Sequence, residues 1–546
     1  MTMWRGFRWT GNWGLLLALG TAVATALMSA APAPADWPMF GQNLANTASV
    51  TDTDLTTKNV GELGVKWVLT TAGDVSARAA VAKGVVYFPD WGGKLWAVSA
   101  GNGNVLWSRE LSAYGLTGSF TGVYHSRTTP AIDKGTLYLG TQEGAYVLAI
   151  DASSGNLLWK SQLEASDPYA IVTTSPAVYN GVVYTGVASI AEGGTLFGIN
   201  PIPPVRGSAV ALNAATGAIK WQTYMVPAGY SGGGVWGSNP VVDPARNTVF
   251  VSTGNNYRRP DASAESSTLS MTYGACISGG GTAATCNSRN NHVDAVLALD
   301  LATGAIKWSQ SLVTWNQPFV NDGSDDWNVD CVWFTIPGFP PTGPQCPSNP
   351  GPDYDFASTP NLITYQTANG PRTILGAGQK SGIYYGLNPD TGGVLWQTQV
   401  GPGSSLGGME WGSAYDGTRI YVQIANLYGI PHLGGNGGSW SALDPATGGI
   451  LWQTADPSGS IALGPLSAAN GVVYANSMAG SANSPTMLAL NGATGGVLWS
   501  FASGASVNAG ATIVDGTVFW GSGYTHLGIP GYTGNNKFYA FKRIKK

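Results

Sequence analysis

A nine-residue phrase recurs along the chain, and it constrains the fold more than any other feature. Asn213 to Trp221 reads NAATGAIKW, Asp300 to Trp308 DLATGAIKW, Asn388 to Trp396 NPDTGGVLW, Asp444 to Trp452 DPATGGILW and Asn491 to Trp499 NGATGGVLW. Asp151 to Trp159 (DASSGNLLW) replaces Thr with Ser, and Ser99 to Trp107 (SAGNGNVLW) is a degenerate copy. Trp67, after Gly64-Val65-Lys66, is the tail of one more, which makes eight units. In each phrase the Asx side chain caps a turn through its own backbone, the Thr-Gly pair supplies a residue that tolerates positive φ, and apolar–polar alternation resumes toward Trp. The phrase is therefore a hairpin turn between two strands. Upstream lie further strand signals such as Gly181-Val182-Val183-Tyr184 and Gly471-Val472-Val473-Tyr474, so each unit holds about four strands. No such unit can bury both faces of its sheet alone. Eight of them, with one Trp each, predict an all-β, eight-bladed β-propeller with a Trp packed between adjacent blades.

The eight Trp positions are spaced by 40 to 88 residues, with the widest gaps before Trp308 and Trp396. Those two units carry long insertions, and inserted loops on one rim are where function concentrates. Closing the ring requires the first and last segments to share a blade, which removes the sheet edges. The candidates are residues 36–60 and Lys537 to Phe541. One large domain, 36–546, follows.

Composition narrows the function classes. Charged residues make up only 10 % of the chain, against a usual ~25 %, while hydrophobic residues make up 44 % and Trp alone numbers 21. Such a chain folds rather than stays disordered. Net charge is −4 with both signs scattered, so no basic face exists to draw binding energy from phosphates, and nucleic acid is excluded as a partner. Residues 1–35 read as a secretory signal peptide: Arg5 and Arg8, an apolar run from Leu15 to Met28, then Ala33-Pro34-Ala35 before Asp36. The apolar run is shorter than a spanning helix needs, so no membrane span is expected in the mature chain, and the product is placed in the periplasm. Four cysteines in an oxidising compartment allow three pairings, of which the local ones, Cys276 with Cys286 and Cys331 with Cys346, would staple two insertions. No CxxCH occurs, so no c-type haem is expected on this sequence.

Nucleophile elbow, P-loop, dinucleotide fingerprint and HExxH are all missing from the sequence. Instead, Glu192, Arg206, Trp236, Asn255, Asp353, Asp355 and Lys380 punctuate the four central units. Taken singly, each has a plain structural use: a turn-capping Asx, a solvated Lys on a hairpin, a Trp packed between blades. Jointly, one metal–cofactor site would explain acid, amide, base, lysine and aromatic floor together.

The repeat resembles the tryptophan-docking motif of the quinoprotein alcohol dehydrogenases, eight-bladed propellers that hold pyrroloquinoline quinone (PQQ) and calcium on the ring axis. The segments Asp36 to Gly41 (DWPMFG), Asp90 to Gly93 (DWGG), Arg206 to Leu212 (RGSAVAL), Gly351 to Phe356 (GPDYDF), Gly378 to Gly382 (GQKSG) and Gly407 to Gly412 (GGMEWG) resemble the secreted branch of that family that oxidises polyvinyl alcohol. The repeat by itself is also shared by non-catalytic outer-membrane assembly scaffolds.

The resemblance implies a catalytic carboxylate at Asp355 and a basic residue facing the quinone oxygens at Lys380. It implies calcium ligands at Glu192 and Asn255, with Asp355 beside the ion. Trp236 is implied as the floor under the quinone, Thr173 and Ser189 as hydroxyls for its carboxylates, and Arg127 and Trp411 as further cofactor contacts. Hard oxygen ligands suit calcium, which polarises a carbonyl as a Lewis acid. An ionised Asp355 beside it can accept an alcohol proton, and Lys380 can stabilise developing negative charge. Methanol-oxidising relatives hold an adjacent Cys pair over the quinone, and this sequence has none. The expectation is a periplasmic dehydrogenase that oxidises polymeric or small secondary alcohols to ketones and passes electrons to a periplasmic cytochrome c. The alternatives are a non-catalytic, protein-binding propeller, and a quinoprotein for other small alcohols or polyols.

Overall fold

The computed structural model describes residues 36–544 apart from 52–53, 120–121, 198–202, 204, 238, 269, 313–351, 359 and 527–530. The expected signal peptide, the Cys331–Cys346 pair and most of the second long insertion lie outside the described residues. Eight sheets form the propeller, each built on four antiparallel strands; seven take them consecutively along the chain and one joins a strand near the start to three from the far end, while the short strands Ser49–Val50 and Ala170–Ile171 add to two others. Their innermost strands are Ala80–Ala82, Ala131–Asp133, Ala177–Tyr179, Val241–Asp243, Asn361–Thr367, Ala414–Tyr415, Ser467–Ala469 and Thr512–Val514, and successive ones touch each other around the axis.

The repeat works as a lock between blades. Each Asx carboxylate or amide oxygen accepts from the backbone of its own turn, as Asp151 Oδ1 does from Ser153 N and Ser154 N at 3.1 and 2.9 Å. Seven of the eight Trp indoles then donate to the carbonyl at the second position of the next phrase, as Trp107 does to Ala152 at 3.0 Å, Trp221 to Leu301 at 3.1 Å and Trp452 to Gly492 at 2.9 Å. The fifth-position glycine has two reasons to be there. Gly304 has φ +71, and a Cβ on it would lie 2.5 Å from the Trp221 ring. Indole burial contributes roughly 4 kcal/mol per blade junction on area alone, and the hydrogen bond about 1 kcal/mol more.

Ring closure departs from expectation in one half. Lys537–Arg543 is the closing strand as anticipated, but its partner is Leu63–Thr70, the strand that carries Trp67, rather than any part of residues 36–60. Trp499 donates to Leu63 O at 3.0 Å, so the eighth lock closes on this strand. Residues 37–48 run instead past the inner strands. Trp37 pairs with Val81, and the carbonyls of Pro38, Leu44, Ala45, Thr47 and Ala48 accept from Ile132, Val242, Leu362, Tyr415 and Ala468. That one segment ties six blades together at the axis. Cys276 and Cys286 form the expected disulfide. Among the described residues, no helix is long and apolar enough to cross a membrane.

Candidate active site

In an antiparallel blade, the connection from second to third strand and the connection to the next blade emerge on the same face, while the repeat turns emerge on the other. This topology delivers the site. Glu192 follows strand Val182–Ser189, Asn255 follows Thr248–Ser252 and Lys380 follows Gly370–Gly378, all second-to-third connections. Arg127, Thr173, Trp236, Asp353, Asp355, Glu410 and Trp411 all precede the innermost strand of a blade.

At the centre, carboxylate oxygens of Glu192, Asp353 and Asp355 lie within 4.8 Å of one another. Lys380 Nζ stands 2.8 Å from Asp355 Oδ1 and 3.2 Å from Asp353 Oδ1. Trp236 Nε1 donates to Asp355 Oδ2 at 3.0 Å, and Asn255 Nδ2 donates to Asp353 Oδ1 at 2.6 Å. Asp353, Asp355, Asn255 and Lys380 are all buried. Gly254 makes the packing possible, because a Cβ there would come 2.8 Å from Asp355 Oδ2. Burial alone would drive the proton off Lys380, but Asp353, Asp355, Glu192 and Glu410 hold it on to well above the ordinary lysine range. The lysine is a fixed cation.

Above this cluster lies a cavity of about 210 Å³, lined among others by Trp236, Arg127, Ser189, Lys380, Glu410 and Trp411. Trp411 stands edge-on to Trp236, with ring centroids 5.5 Å apart, and its φ of +59 is a left-handed conformation that a bulky residue adopts only under constraint. The Arg127 guanidinium lies 4.5 Å from the Trp411 ring centre. Trp91, Tyr524 and His526 complete another wall, with His526 stacked 3.7 Å from Trp91. On the other side of Trp91, His125 pairs with Glu143 at 3.1 Å, and burial, then His526 and Arg127, push its imidazole down to about 4.

Most of the anticipated residues therefore share one locus. Thr173 lines a smaller adjoining cavity rather than this one, and its hydroxyl donates to Trp236 O at 3.1 Å. Ser189 donates to Tyr169 O at 3.1 Å. Arg206 lies apart, stacked on Tyr224. Two residues with no anticipated role join the site. Asp353 bridges Asn255 and Lys380 from a left-handed backbone position, φ +61, and its signal was a second carboxylate two residues from Asp355 in the phrase GPDYDF. Glu410 is 1 % exposed and lines the cavity, and burial pushes its carboxyl up to about 7 against the pull of Lys380. Its signal was a carboxylate set in the glycine-rich, apolar phrase GGMEWG.

The donor set fits the groups that the resemblance implies. Three carboxylates and the Asn255 Oδ1, which is buried and has no donor among the described residues, are hard oxygens of the kind calcium takes. An indole wall with Lys380 and Arg127 beside it suits a flat, anionic quinone.

Comparison with known proteins places this propeller in a class. A family model of PQQ-type repeats (PQQ_2), described as outer membrane protein assembly factor BamB, matches residues 62–310 and 379–535, and the chain belongs to that family. The chain is 28 % identical over 443 residues to a polyvinylalcohol dehydrogenase of Pseudomonas sp, covering 78 % of this chain and 60 % of that protein. It is 27 % identical over 464 residues to the polyvinylalcohol dehydrogenase of Sphingopyxis sp. (strain 113P3), covering 80 % and 62 %. The chain thus spans about three fifths of the length of these curated relatives. Among solved structures, the quinohemoprotein alcohol dehydrogenase from Comamonas testosteroni shares the fold, with a TM-score of 0.67 at 19 % identity over 94 % of this chain and 81 % of that one.

Proposed function

We propose that the chain is a PQQ- and calcium-dependent dehydrogenase that oxidises secondary alcohol groups, those of polyvinyl alcohol foremost, to ketones, with a periplasmic cytochrome c as electron acceptor. The observation that carries this reading is the convergence of Glu192, Asn255, Asp353, Asp355, Lys380 and Trp236 on one buried cluster beneath an open cavity. The similarity to polyvinylalcohol dehydrogenases supports the substrate class. Glu192, Asn255 and Asp355, joined by Asp353, would hold calcium, while Trp236, Arg127, Ser189, Thr173, Lys380 and Trp411 would hold the cofactor. When bound, the metal-polarised quinone supplies the hydride acceptor for the alcohol carbon.

The chain's own residues do the rest. Asp355 is fixed at both oxygens, by the Trp236 indole on one and the Lys380 ammonium on the other, so a carboxylate is presented in a single orientation. It accepts the proton of the substrate hydroxyl. Lys380 keeps its charge and stabilises negative charge that develops beside it. Trp91, Trp411 and Tyr524 wall the cavity with rings that exclude water from the reacting groups. The scaffold reading has the family match behind it, but it gives no use to several buried charges gathered at one point, which cost folding free energy unless they serve a ligand.

The deciding assay adds PQQ, calcium and a dye acceptor to the purified protein and compares polyvinyl alcohol with short secondary alcohols. Dye reduction that needs both additions is expected. Binding of neither PQQ nor calcium would refute the enzymatic reading.

A further inference from the structure

Among the described residues, most of the large apolar side chains left exposed lie on the outermost strands of the blades. Three others, Tyr428, Ile430 and Leu433, are 44 %, 43 % and 43 % exposed and share one loop. That loop joins Ile420–Ile424 to Ser439–Leu443, the second-to-third connection of its blade, so it emerges on the face that carries the candidate site. Single exposed apolar residues are ordinary, but three so close together on the functional face form a patch that leaves apolar surface in water.

The loop is built to hold these side chains outward. Asn426 is buried with φ +57, its Nδ2 donates to Ile430 O at 2.8 Å and Gly437 O at 2.9 Å, and its Oδ1 accepts from Ile430 N at 3.0 Å. His432 and Gly435 exchange two backbone hydrogen bonds, at 2.8 and 3.0 Å, which clip the tip that carries Leu433. Leu427 turns inward, onto the apolar cluster that Trp91 and Trp411 also join. Tyr428 ties the patch to the cavity. Its Oη donates to Ser405 Oγ at 2.7 Å and accepts from Ser405 N at 3.3 Å, and Ser405 lines the cavity. On either side of Ser405, Ser404 N and Gly408 N donate to Lys380 O at 3.1 and 2.6 Å. One continuous piece of structure therefore runs from Lys380 to the exposed patch.

The chemistry of the patch selects its occupant. From Ile420 to Leu443 the sequence holds no Asp, Glu, Lys or Arg, so a partner steered by charge finds nothing here to meet it. An uncharged chain does. A cavity of about 210 Å³ that must also take the cofactor admits only the reacting group of a polymer, and the units beside that group have to run over the rim. We propose that Tyr428, Ile430 and Leu433 form an extension subsite that binds the hydrocarbon backbone of a polymeric secondary alcohol next to the unit being oxidised. For its substrate this rests on the dehydrogenase reading above. Apolar side chains cover the methylene groups, while the exposed amide of Asn436 in the same loop offers hydrogen bonds to the hydroxyls.

The experiment compares the wild type with an Ile430→Ser/Leu433→Ser double variant and with Tyr428→Ala, each loaded with PQQ and calcium and followed by dye reduction. KM for polyvinyl alcohol should rise about tenfold in both variants, through lost apolar contact, with kcat and the KM for isopropanol as in the wild type. An unchanged polymer KM overturns the proposal, and so does an equal rise for isopropanol. A variant slowed only when cytochrome c replaces the dye assigns the patch to the electron acceptor and overturns it. A wild-type dimer that the double variant turns into a monomer on gel filtration assigns it to a second copy, with the same consequence. Calorimetric titration of the same proteins with polyvinyl alcohol reads binding without turnover, and the double variant should bind about tenfold more weakly. That weakening in a protein that oxidises no alcohol would sink the enzymatic reading and leave the subsite standing. Oxidation of the polymer with identical constants in all three proteins would do the reverse.

Discussion

Asp355 is the residue on which the proposed chemistry turns, and its surroundings make its replacement informative. Asp355→Asn keeps the volume, and Lys380 keeps Asp353 as an ion-pair partner 3.2 Å away, so the fold should survive while the proton acceptor is lost. Turnover should fall by about 10²–10⁴-fold with PQQ binding retained, read by dye reduction against a cofactor-binding titration. Glu410 gives a second test at this scale. Its carboxyl sits at about 7 when folded and at an ordinary 4.5 when unfolded, so the folded state holds a proton that the unfolded state releases between those values. Stability from this group is full below about 4.5, declines as pH rises toward about 7 and is gone above it, a loss of roughly 3 kcal/mol. Denaturant titrations of the calcium-free protein should show Glu410→Gln losing that decline. An unchanged slope would remove Glu410 as its source. Asp355 and Lys380 were expected because their phrases, GPDYDF and GQKSG, carry the family likeness, and Asn255 and Glu192 because that resemblance implies them as calcium ligands. Asp353 and Glu410 sat in equally short phrases but took their meaning from neighbours contributed by other blades, which no local pattern displays.

At the scale of the element, the turn and the inter-blade lock can be separated by two glycines. Gly181 has φ +75 and a Cβ there would meet nothing within 4 Å, whereas Gly304 has φ +71 and its Cβ would strike the Trp221 ring. Gly181→Ala should cost about 1–2 kcal/mol, the left-handed penalty alone. Gly304→Ala should cost that and a further 1–3 kcal/mol, because the indole wedged between blades has nowhere to move. Chemical denaturation of the two variants measures the difference, and equal losses would mean that the close approach of Gly304 to Trp221 contributes nothing. The turn and the inter-blade Trp were readable from the sequence, because Asx cap, glycine and Trp stand at fixed offsets; the indole-to-carbonyl bond was not, and seven of the eight locks use the same atoms of the phrase while Trp499 bonds to Leu63 O instead. The face on which function gathers also follows from strand order, since the repeat turns occupy the opposite rim.

At the scale of the molecule, what escaped the sequence was how the ring is joined and plugged, and the reason is physical. Residues 37–48 hold six blades through their backbone, mostly through carbonyl oxygens, and a carbonyl is the same on every residue. Strand Leu63–Thr70 looks like the end of any other repeat, and its partner Lys537–Arg543 lies at the far end of the chain. The two devices carry different loads. Removing residues 537–546 would leave Leu63–Thr70 without a partner, strip the last blade to two strands and expose sheet edges on both sides of the gap, a template for association. Removing residues 37–48 would leave every blade with its four strands but free the inner strands of their shared tie and take from Arg78 the Phe40 carbonyl. The first deletion should therefore give an insoluble or aggregated product. The second should give a soluble protein with a native-like β circular-dichroism spectrum and a melting temperature lowered by several degrees, because the lost contacts add to ring stability without being needed to close it. Soluble, folded protein from the first and aggregation from the second would reverse the order and make the axial segment, rather than the shared blade, the closure of this propeller.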